Sequence, residues 1–244
     1  MAKVGMAKRS KHYDLDSLTD VSLAIFRDRG YDGTSMENLA AAAGISKAAF
    51  YHHVGGKEEL LARGFDRSLD ALFSVFEEES AANGAAVERV RYVVRRVIEL
   101  EDRLLPEVSV LLRTRGNSRV ERDALARRRQ FDRQFALLIE EAQGEGAIRK
   151  DMSATLAARL LIGMCTSIVE WWQPNGSIQV DELADAVVSM AFDGLNVDSV
   201  VRRKAPRRVV EGRVTSSKSV SAKPTRPPKS LSSPRGKANA TKKS

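Results

Sequence analysis

The chain has 244 residues, of which 43% are hydrophobic and 30% charged, a composition typical of a globular protein with an ample core. The polar N-terminal residues predict no signal peptide, and no apolar stretch approaches the length of a membrane span. A single cysteine, Cys165, excludes an internal disulfide and favours a reducing compartment. We therefore expect a cytoplasmic protein, associated with the nucleoid if it binds DNA.

The net charge of +8 is unevenly distributed along the chain. Residues 202–244 carry 14 lysines and arginines and one acidic residue, Glu211, whereas the preceding 201 residues have a net charge of −5. A basic segment with so few apolar residues is expected to be a disordered tail over 201–244. It is interpreted either as a solubilising extension or as a segment held to nucleic acid by charge.

The body shows no alternating strand pattern, so the predicted fold class is all-α. The first helix is predicted from Ser17 to Arg29, with Gly30 as its stop. Its apolar stripe is predicted to consist of Leu18, Val21, Ala24 and Ile25.

Two short helices follow, joined by a turn that contains a glycine. The second helix begins at Thr34 or Ser35, either of which can cap it, and ends at Gly44. The third follows the cap residue Ser46. A supporting helix followed by two short helices around a tight turn is the pattern of a helix-turn-helix.

The third helix has two sides when its residues are placed at 100° steps. One side is predicted to face DNA and carries Lys47, Ala48, Tyr51 and His52. The other is predicted to face the core and carries Ala49, Phe50 and His53. An amphipathic helix with a solvated polar face is the alternative, because residues 1–60 form no broad basic patch.

A long fourth helix is predicted from Lys57 to about Glu79, and five more helices follow. Their predicted bounds are Val87 to Leu105, a short segment after Pro106, Ser118 to Ala142, Ser153 to Trp172 and, with Asp181 as N-cap, Asp181 to Leu195. The helix after Ser153 is apolar nearly all round and must be buried on most faces. The last two helices are expected to pair with a second copy in a two-fold four-helix bundle.

The sequence offers little for catalysis. The histidines are His12, His52 and His53, and two adjacent histidines on a helix point about 100° apart, which is unsuited to binding one metal ion. There is no glycine-rich phosphate loop and no nucleophile elbow. We expect a protein that is not an enzyme, with no cofactor and no metal site.

Residues 24–61, AIFRDRGYDGTSMENLAAAAGISKAAFYHHVGGKEELL, closely resemble the DNA-binding signature of TetR-family regulators. The glycine-tyrosine entry, Thr-Ser-Met, Ala-Ala-Gly-Ile-Ser-Lys, Phe-Tyr-His-His and Lys-Glu-Glu-Leu are in register. The resemblance implies a flexible arm over 1–12, a three-helix helix-turn-helix domain over 13–60 and a helical effector-binding and dimerisation domain over 61–200. It also implies a dimeric, ligand-responsive regulator, in the first instance a repressor, that binds palindromic operator DNA.

In that family the start of the second helix and the exposed face of the third contact DNA, and the lysine that opens the fourth helix reaches a phosphate. The matching positions here are Thr34, Ser35, Ser46, Lys47, Ala48, Tyr51, His52, His53 and Lys57. Val54 and Gly56 depart from the usual phenylalanine and the usual N-cap residue.

The C-terminal part more loosely resembles the branch of the family that senses acyl-CoA thioesters, which implies a small apolar or acyl-CoA effector. The candidate effector-binding residues are Arg113, Arg128, Phe131, Phe135, Met164 and Trp171. Each has an ordinary structural interpretation. Trp171 suits core or dimer-edge packing, and the arginines suit a solvated face paired with Glu121, Asp123 and Asp132.

Two other functions remain open from the sequence. One is an architectural DNA-binding protein dominated by its basic tail, with little sequence specificity. The other is a helical enzyme or lipid carrier that retains a DNA-binding domain.

Overall fold

The computed structural model describes residues 14–174 and 176–194. Over these residues the chain forms α1 (Leu15–Arg29), α2 (Met36–Ala43), α3 (Lys47–His53), α4 (Lys57–Ser74), α5 (Glu79–Ala82), α6 (Ala86–Arg103), α7 (Leu105–Leu112), α8 (Arg119–Gly144), α9 (Ala154–Ser167) and α10 (Val180–Asp193). Two 3₁₀ turns, Val75–Glu77 and Ile168–Glu170, follow α4 and α9. This part of the chain contains no strand, which confirms the all-α class. The predicted N-terminal arm and basic tail lie outside the described residues, and no described helix is long and apolar enough to cross a membrane.

Helix starts follow the serine caps of the sequence. The side chains of Ser46, Ser118 and Ser153 accept hydrogen bonds from backbone N–H groups in the first turns of α3, α8 and α9. Of the two candidates at the start of α2, Ser35 is the cap, and its N–H donates to Asn38 to complete a capping box. Gly44 ends α2 in the left-handed conformation, with a φ of 73°.

The buried face of α1 differs from the predicted stripe. Leu23 and Phe26 are fully buried together with Leu18, whereas Val21 and Ile25 are only partly buried at the edge of the core. Two helices, α4 and α7, pack against α1. The face centred on Leu23 is therefore the one that is covered.

Several predicted helix bounds need correction. The fourth helix ends at Ser74 rather than about Glu79, which instead begins α5. Pro106 does not end a helix but lies in the first turn of α7, where its missing N–H costs nothing. Asp181 lies in the first turn of α10, whose N-cap is Gln179.

The helices enclose two apolar cores. The first is built by α1 to α4 and includes Val110 and Leu111 of α7 and Ala124 of α8. The second is built mainly by α6, α8, α9 and α10, and the partly buried Leu72 of α4 packs against it. Helix α4 contributes residues to both cores, and α7 packs against α1 of the first core and α6 of the second.

The predicted burial of α9 is not complete within one protomer. Ala158, Ile162 and Cys165 are buried in the second core. Leu156 and Leu160 lie on the opposite side and are 48% and 52% exposed. The described residues thus leave one side of α9 uncovered.

Candidate nucleic-acid interface and effector cavity

The turn between α2 and α3 holds the two helices so that one polar surface faces outward. Phe50 is fully buried and anchors α3 to the first core, whereas the next residue, Tyr51, is 47% exposed. We call this outward face the recognition surface. It comprises Ser35, Glu37, Asn38, Ser46, Lys47, Ala48, Tyr51, His52 and His53, all of them exposed.

An ion pair joins the two helices across the recognition surface. The ammonium of Lys47 donates to the carboxylate of Glu37 and lies 5.9 Å from the centre of the Tyr51 ring. The hydrogen bond from Lys47 lowers the pKa of Glu37 to about 2. Both side chains are exposed, so this ion pair can open at little cost in free energy. A bound phosphate would then compete with Glu37 for Lys47.

Thr34 and Lys57 are placed differently from the other predicted DNA contacts. Thr34 is only 2% exposed, and its hydroxyl donates to the Gly30 carbonyl oxygen at 2.7 Å, so its side chain is unavailable to DNA. The Lys57 ammonium donates to the carbonyl oxygens of Tyr31 and Thr34 at 3.0 and 3.2 Å and lies 4.3 Å above the Tyr31 ring. One of its three N–H groups remains for a phosphate.

The predicted sides of α3 need one correction. The 100° step predicts His53 on the core side with Phe50, but His53 is exposed at the C-terminal end of α3. The structure also adds Glu37 and Asn38 to the recognition surface. The capping spacing from Ser35 to Asn38 is the sequence signal that could have located the second of them.

A small cavity lies among α4, α6, α7, α8 and α9, with about 50 Å³ of free space. Its lining residues are Ser68, Leu72, Val97, Leu100, Glu101, Leu104, Val108, Leu111, Leu112, Arg128, Phe131, Asp132, Ile162 and Thr166. The wall is mainly apolar, and its charged groups are Glu101, Arg128 and Asp132. An apolar cavity with a few convergent polar groups is the usual form of a small-molecule site.

Glu101 is the most deeply buried of these charged groups. It is 5% exposed, and its Oε2 atom has no hydrogen-bond partner in the described part of the chain. Burial raises the pKa of Glu101 to about 8, and the positive charge of Arg128 opposes this only in part. Burial therefore favours the neutral carboxyl group at pH 7, the form that can donate a hydrogen bond.

Two of the six candidate effector residues line this cavity, Arg128 and Phe131. Phe135 is fully buried against Phe131, with ring centres 6.3 Å apart, and belongs to the packed core. Met164 lies in a separate groove between α9 and α10, and Trp171 is 55% exposed. These three residues do not line the cavity.

The two candidate effector-binding arginines, Arg113 and Arg128, lie in different parts of the molecule. Arg127, which precedes Arg128, pairs with Asp66 and Asp70 of α4. Arg113 is exposed at the end of α7 and donates to the Arg27 carbonyl oxygen at 2.6 Å. Among these arginines only Arg128 reaches the cavity.

The sequence reasoning missed Glu101 and Asp132. A signal was present for Glu101, because it continues the apolar stripe formed by Val94, Val97 and Ile98 at helical spacing. A charged residue on a buried stripe indicates either a partner or a site.

Helix α7 connects the cavity to the helix-turn-helix. Val108 and Leu112 line the cavity, whereas the next residue, Arg113, holds the C-terminal end of α1 through the Arg27 carbonyl. On another side of α7, the buried Glu107 accepts a hydrogen bond from Arg67 at 3.1 Å. Arg67 also pairs with Asp16 and Asp20 of α1.

Two family models match the chain. Residues 18–63 match the bacterial regulatory proteins of the tetR family, and residues 83–195 match the tetracyclin repressor-like C-terminal domain. The HTH-type transcriptional repressor KstR2 of Rhodococcus jostii is 28% identical over 185 residues, which are 73% of this chain and 89% of KstR2.

The fold is also similar to that of solved structures. SCO3833 of Streptomyces coelicolor A3, a member of the TetR transcriptional regulator family, is 50% identical with a TM-score of 0.70, over 73% of this chain and 90% of SCO3833. AibR, solved in complex with isovaleryl coenzyme A and operator DNA, is 27% identical with a TM-score of 0.63, over 72% of this chain and 97% of AibR. The similarity therefore spans both the DNA-binding and the C-terminal domains.

Proposed function

Because the chain belongs to the TetR family of transcriptional regulators, we propose that it is a dimeric repressor that binds palindromic operator DNA and is released by a small effector. The observation that carries this proposal is the recognition surface, where Phe50 anchors α3 and Tyr51, Lys47 and Ala48 face outward. Side chains on a helix that can enter the major groove read base edges, and neighbouring cations hold phosphates.

Footprinting of the full-length protein on genomic DNA tests the DNA-binding role. We expect protected sites with two half-sites about one helical turn apart, since a two-fold dimer presents two α3 helices. Protection spread evenly over all sequences, or no protection at all, would contradict a sequence-specific repressor.

The uncovered side of α9 supports the dimer. Leu156 and Leu160 of α9 and Met190 of α10 are each about half exposed in one protomer, and two such helices from each copy can form a four-helix interface. We expect Leu160→Glu to give a folded monomer, because the new charge would be buried only in the dimer. Light scattering with circular dichroism checks this.

Two control variants make the dimer test specific. Ala126→Glu, at an exposed position of α8, should leave the dimer intact. Val187→Glu should unfold the protomer itself, because Val187 is buried in the second core. A folded, dimeric Leu160→Glu protein would show that this side of α9 is not the interface.

The cavity supports release by an effector. A ligand larger than the existing free space must open the wall formed in part by α7. Movement of α7 would shift α1 through Arg113 and the Arg67–Glu107 pair and so displace α3 from its half-site. The effector would then favour the state with misplaced recognition helices, and operator affinity would fall by its differential affinity for the two states.

We propose an acyl-CoA or another small, mainly apolar molecule as the effector class. AibR, similar over most of this chain, was solved with isovaleryl coenzyme A, and the cavity wall here is mainly apolar. Titration of the protein–operator complex with isovaleryl-CoA tests this class. Operator binding that no apolar or acyl-CoA compound changes would count against it.

An architectural DNA-binding role receives no support from relatives that are named as repressors. The basic segment over 202–244 could still add phosphate contacts to a specific repressor. If about half of its basic residues contact DNA, deleting it should reduce the salt slope of operator binding by about 6 and leave the specificity ratio unchanged. Parallel salt dependences of the full-length and truncated proteins would show that it does not contact DNA.

A further inference from the structure

Glu101 differs from the other buried glutamates of the described chain. Glu107 is paired with Arg67, and Glu121 accepts hydrogen bonds from the backbone N–H groups of Gly116 and Asn117 at 2.7 and 2.8 Å. These two carboxylates hold helices and turns in place. Glu101 holds nothing through its Oε2 atom, which is buried without a partner at the wall of the cavity.

An unpartnered buried polar group weakens a folded protein, because it loses its hydrogen bonds to water and gains none in return. The lining around Glu101 is apolar, with Val97, Leu100 and Leu104 as near neighbours in sequence, so a leucine would suit the wall better. The unpartnered Glu101 carboxyl group therefore lowers the stability of the protein without ligand. A ligand that forms a hydrogen bond with it would remove this loss.

We propose that Glu101 is the polar anchor of the effector cavity and that its carboxyl O–H donates a hydrogen bond to a carbonyl or hydroxyl oxygen of a neutral, mainly apolar effector. This inference rests on the proposed role of the cavity as the effector site. It narrows the effector class, because it requires one acceptor oxygen on an apolar body.

The charges around the cavity support a neutral ligand end at Glu101. Burial keeps the Glu101 carboxyl protonated at pH 7, so it offers a donor and not a negative charge. Arg128 and Asp132, the other charged groups of the wall, are only partly buried. Water can therefore reach them, whereas Glu101 is 5% exposed and its Oε2 atom is shielded from water.

The oxygen could belong to a thioester, as in an acyl-CoA, or to a simple ketone or alcohol. Each of these compounds would present an acceptor oxygen to Glu101. Only the CoA ester also carries a large anionic group. Isovaleryl-CoA and 2-heptanone represent the two sources, and heptane serves as the probe without oxygen. Octanoate tests whether an anionic end is accepted instead.

The experiment measures binding of these four probes to the full-length protein and to two variants. Glu101→Gln keeps the size and an N–H donor, whereas Glu101→Leu removes every polar atom. We expect wild type to bind at least one of the two carbonyl probes about 10- to 100-fold more tightly than heptane, as one buried hydrogen bond permits. The glutamine variant should keep most of this preference, and the leucine variant should lose it.

Thermal unfolding without ligand provides the control for folding. We expect Glu101→Leu to unfold at a higher temperature than wild type, because the unpartnered group is gone. A leucine variant that is less stable would show that Glu101 has a structural role, and this would overturn the proposal. So would carbonyl binding that is unaffected in the leucine variant, preferential binding of octanoate, or binding of neither carbonyl probe by wild type.

The failure of this inference is distinguishable from failure of the proposed function. A protein that footprints an operator but shows no dependence on Glu101 would retain the repressor function and lose only the anchor. A protein with Glu101-dependent binding of 2-heptanone or isovaleryl-CoA, but without any footprint, would keep the anchor as a ligand contact and lose the repressor function.

Discussion

The recognition surface and the cavity are opposite kinds of site. The recognition surface is built from one short stretch, residues 35–53. Its lysine, Lys47, forms a solvent-exposed ion pair with Glu37. The cavity draws residues from five helices and contains a buried carboxyl group without a partner. The exposed side chains of Tyr51 and Lys47 can change at little cost to the fold, whereas changes to the buried residues of the cavity also change stability.

Truncating a cavity-lining aromatic should give the largest loss of stability. Phe131 is 1% exposed, and its ring lies 5.1 Å from Phe76 and 6.0 Å from Phe73. We expect Phe131→Ala to reduce the free energy of unfolding by about 3–5 kcal/mol, since the surrounding helices can collapse only partly. Urea unfolding followed by circular dichroism measures it. A loss below about 1 kcal/mol would show that this wall is not tightly packed.

The unpartnered carboxyl group should make stability depend on pH. Below the ordinary pKa of glutamate, near 4.5, Glu101 is protonated in both the folded and the unfolded chain. The stabilisation that comes from its raised pKa is then fully present in the free energy of unfolding. As the pH rises towards 8, the unfolded chain releases this proton and the folded chain keeps it, so the free energy of unfolding falls. Between pH 5 and pH 7 the fall should be about 2 kcal/mol.

Comparison with Glu101→Gln isolates this dependence, because glutamine does not titrate. Arg128 and Asp132 of α8 and Cys165 of α9 are the ionisable groups near Glu101, and they are the same in both proteins. Wild type should therefore lose stability relative to the variant between pH 5 and pH 7. Equal pH profiles would mean that Glu101 is ionised in the folded protein.

Packing of α4 against α1 in the first core can be tested at Gly64. A Cβ atom at Gly64 would lie 2.6 Å from a methyl carbon of Leu23, which is itself fully buried. We expect Gly64→Ala to reduce the free energy of unfolding by about 1–3 kcal/mol through overpacking. Leu23→Ala should relieve part of the clash in the double variant. Independent, additive effects would show that α1 moves away freely.

The same contrast explains what the sequence could predict. Ser46, Gly44 and Phe50 act on residues within one or two turns of themselves, so local spacing was sufficient to place the helix-turn-helix and to turn Tyr51 outward. The 100° step predicts the wrong side for His53, which lies exposed at the end of α3. That fact depends on tertiary packing and not on the 100° step.

The cavity could not be assembled from local patterns. Glu101, Arg128 and Ile162 meet only because α6, α8 and α9 pack at one register, which hydrophobic spacing does not specify. Phe135 has the same apolar character as Phe131 and lies one turn away, yet only Phe131 lines the free space. The apolar residues of a helix face therefore predict which face is buried. They do not predict which of the buried residues line a cavity.

Changes to Tyr51 and Lys47, which cap no helix, should affect DNA binding and leave stability nearly unchanged. Tyr51 is 47% exposed and Lys47 is paired only in water, so Tyr51→Ala and Lys47→Ala should change the free energy of unfolding by less than about 0.5 kcal/mol. Operator affinity should fall about 10-fold or more for Tyr51→Ala if its ring reads a base edge.

The matched control for charge is Arg119→Ala on α8, which removes a cation from an exposed ion pair with Asp123 outside the recognition surface. Gel-shift titrations on operator and random DNA compare the variants. Lys47→Ala should weaken binding more than Arg119→Ala does, because only Lys47 lies where phosphates or bases would be. If Tyr51→Ala retained native operator affinity, or if Arg119→Ala weakened binding as much as Lys47→Ala, the outward face of α3 would not be the DNA-reading face.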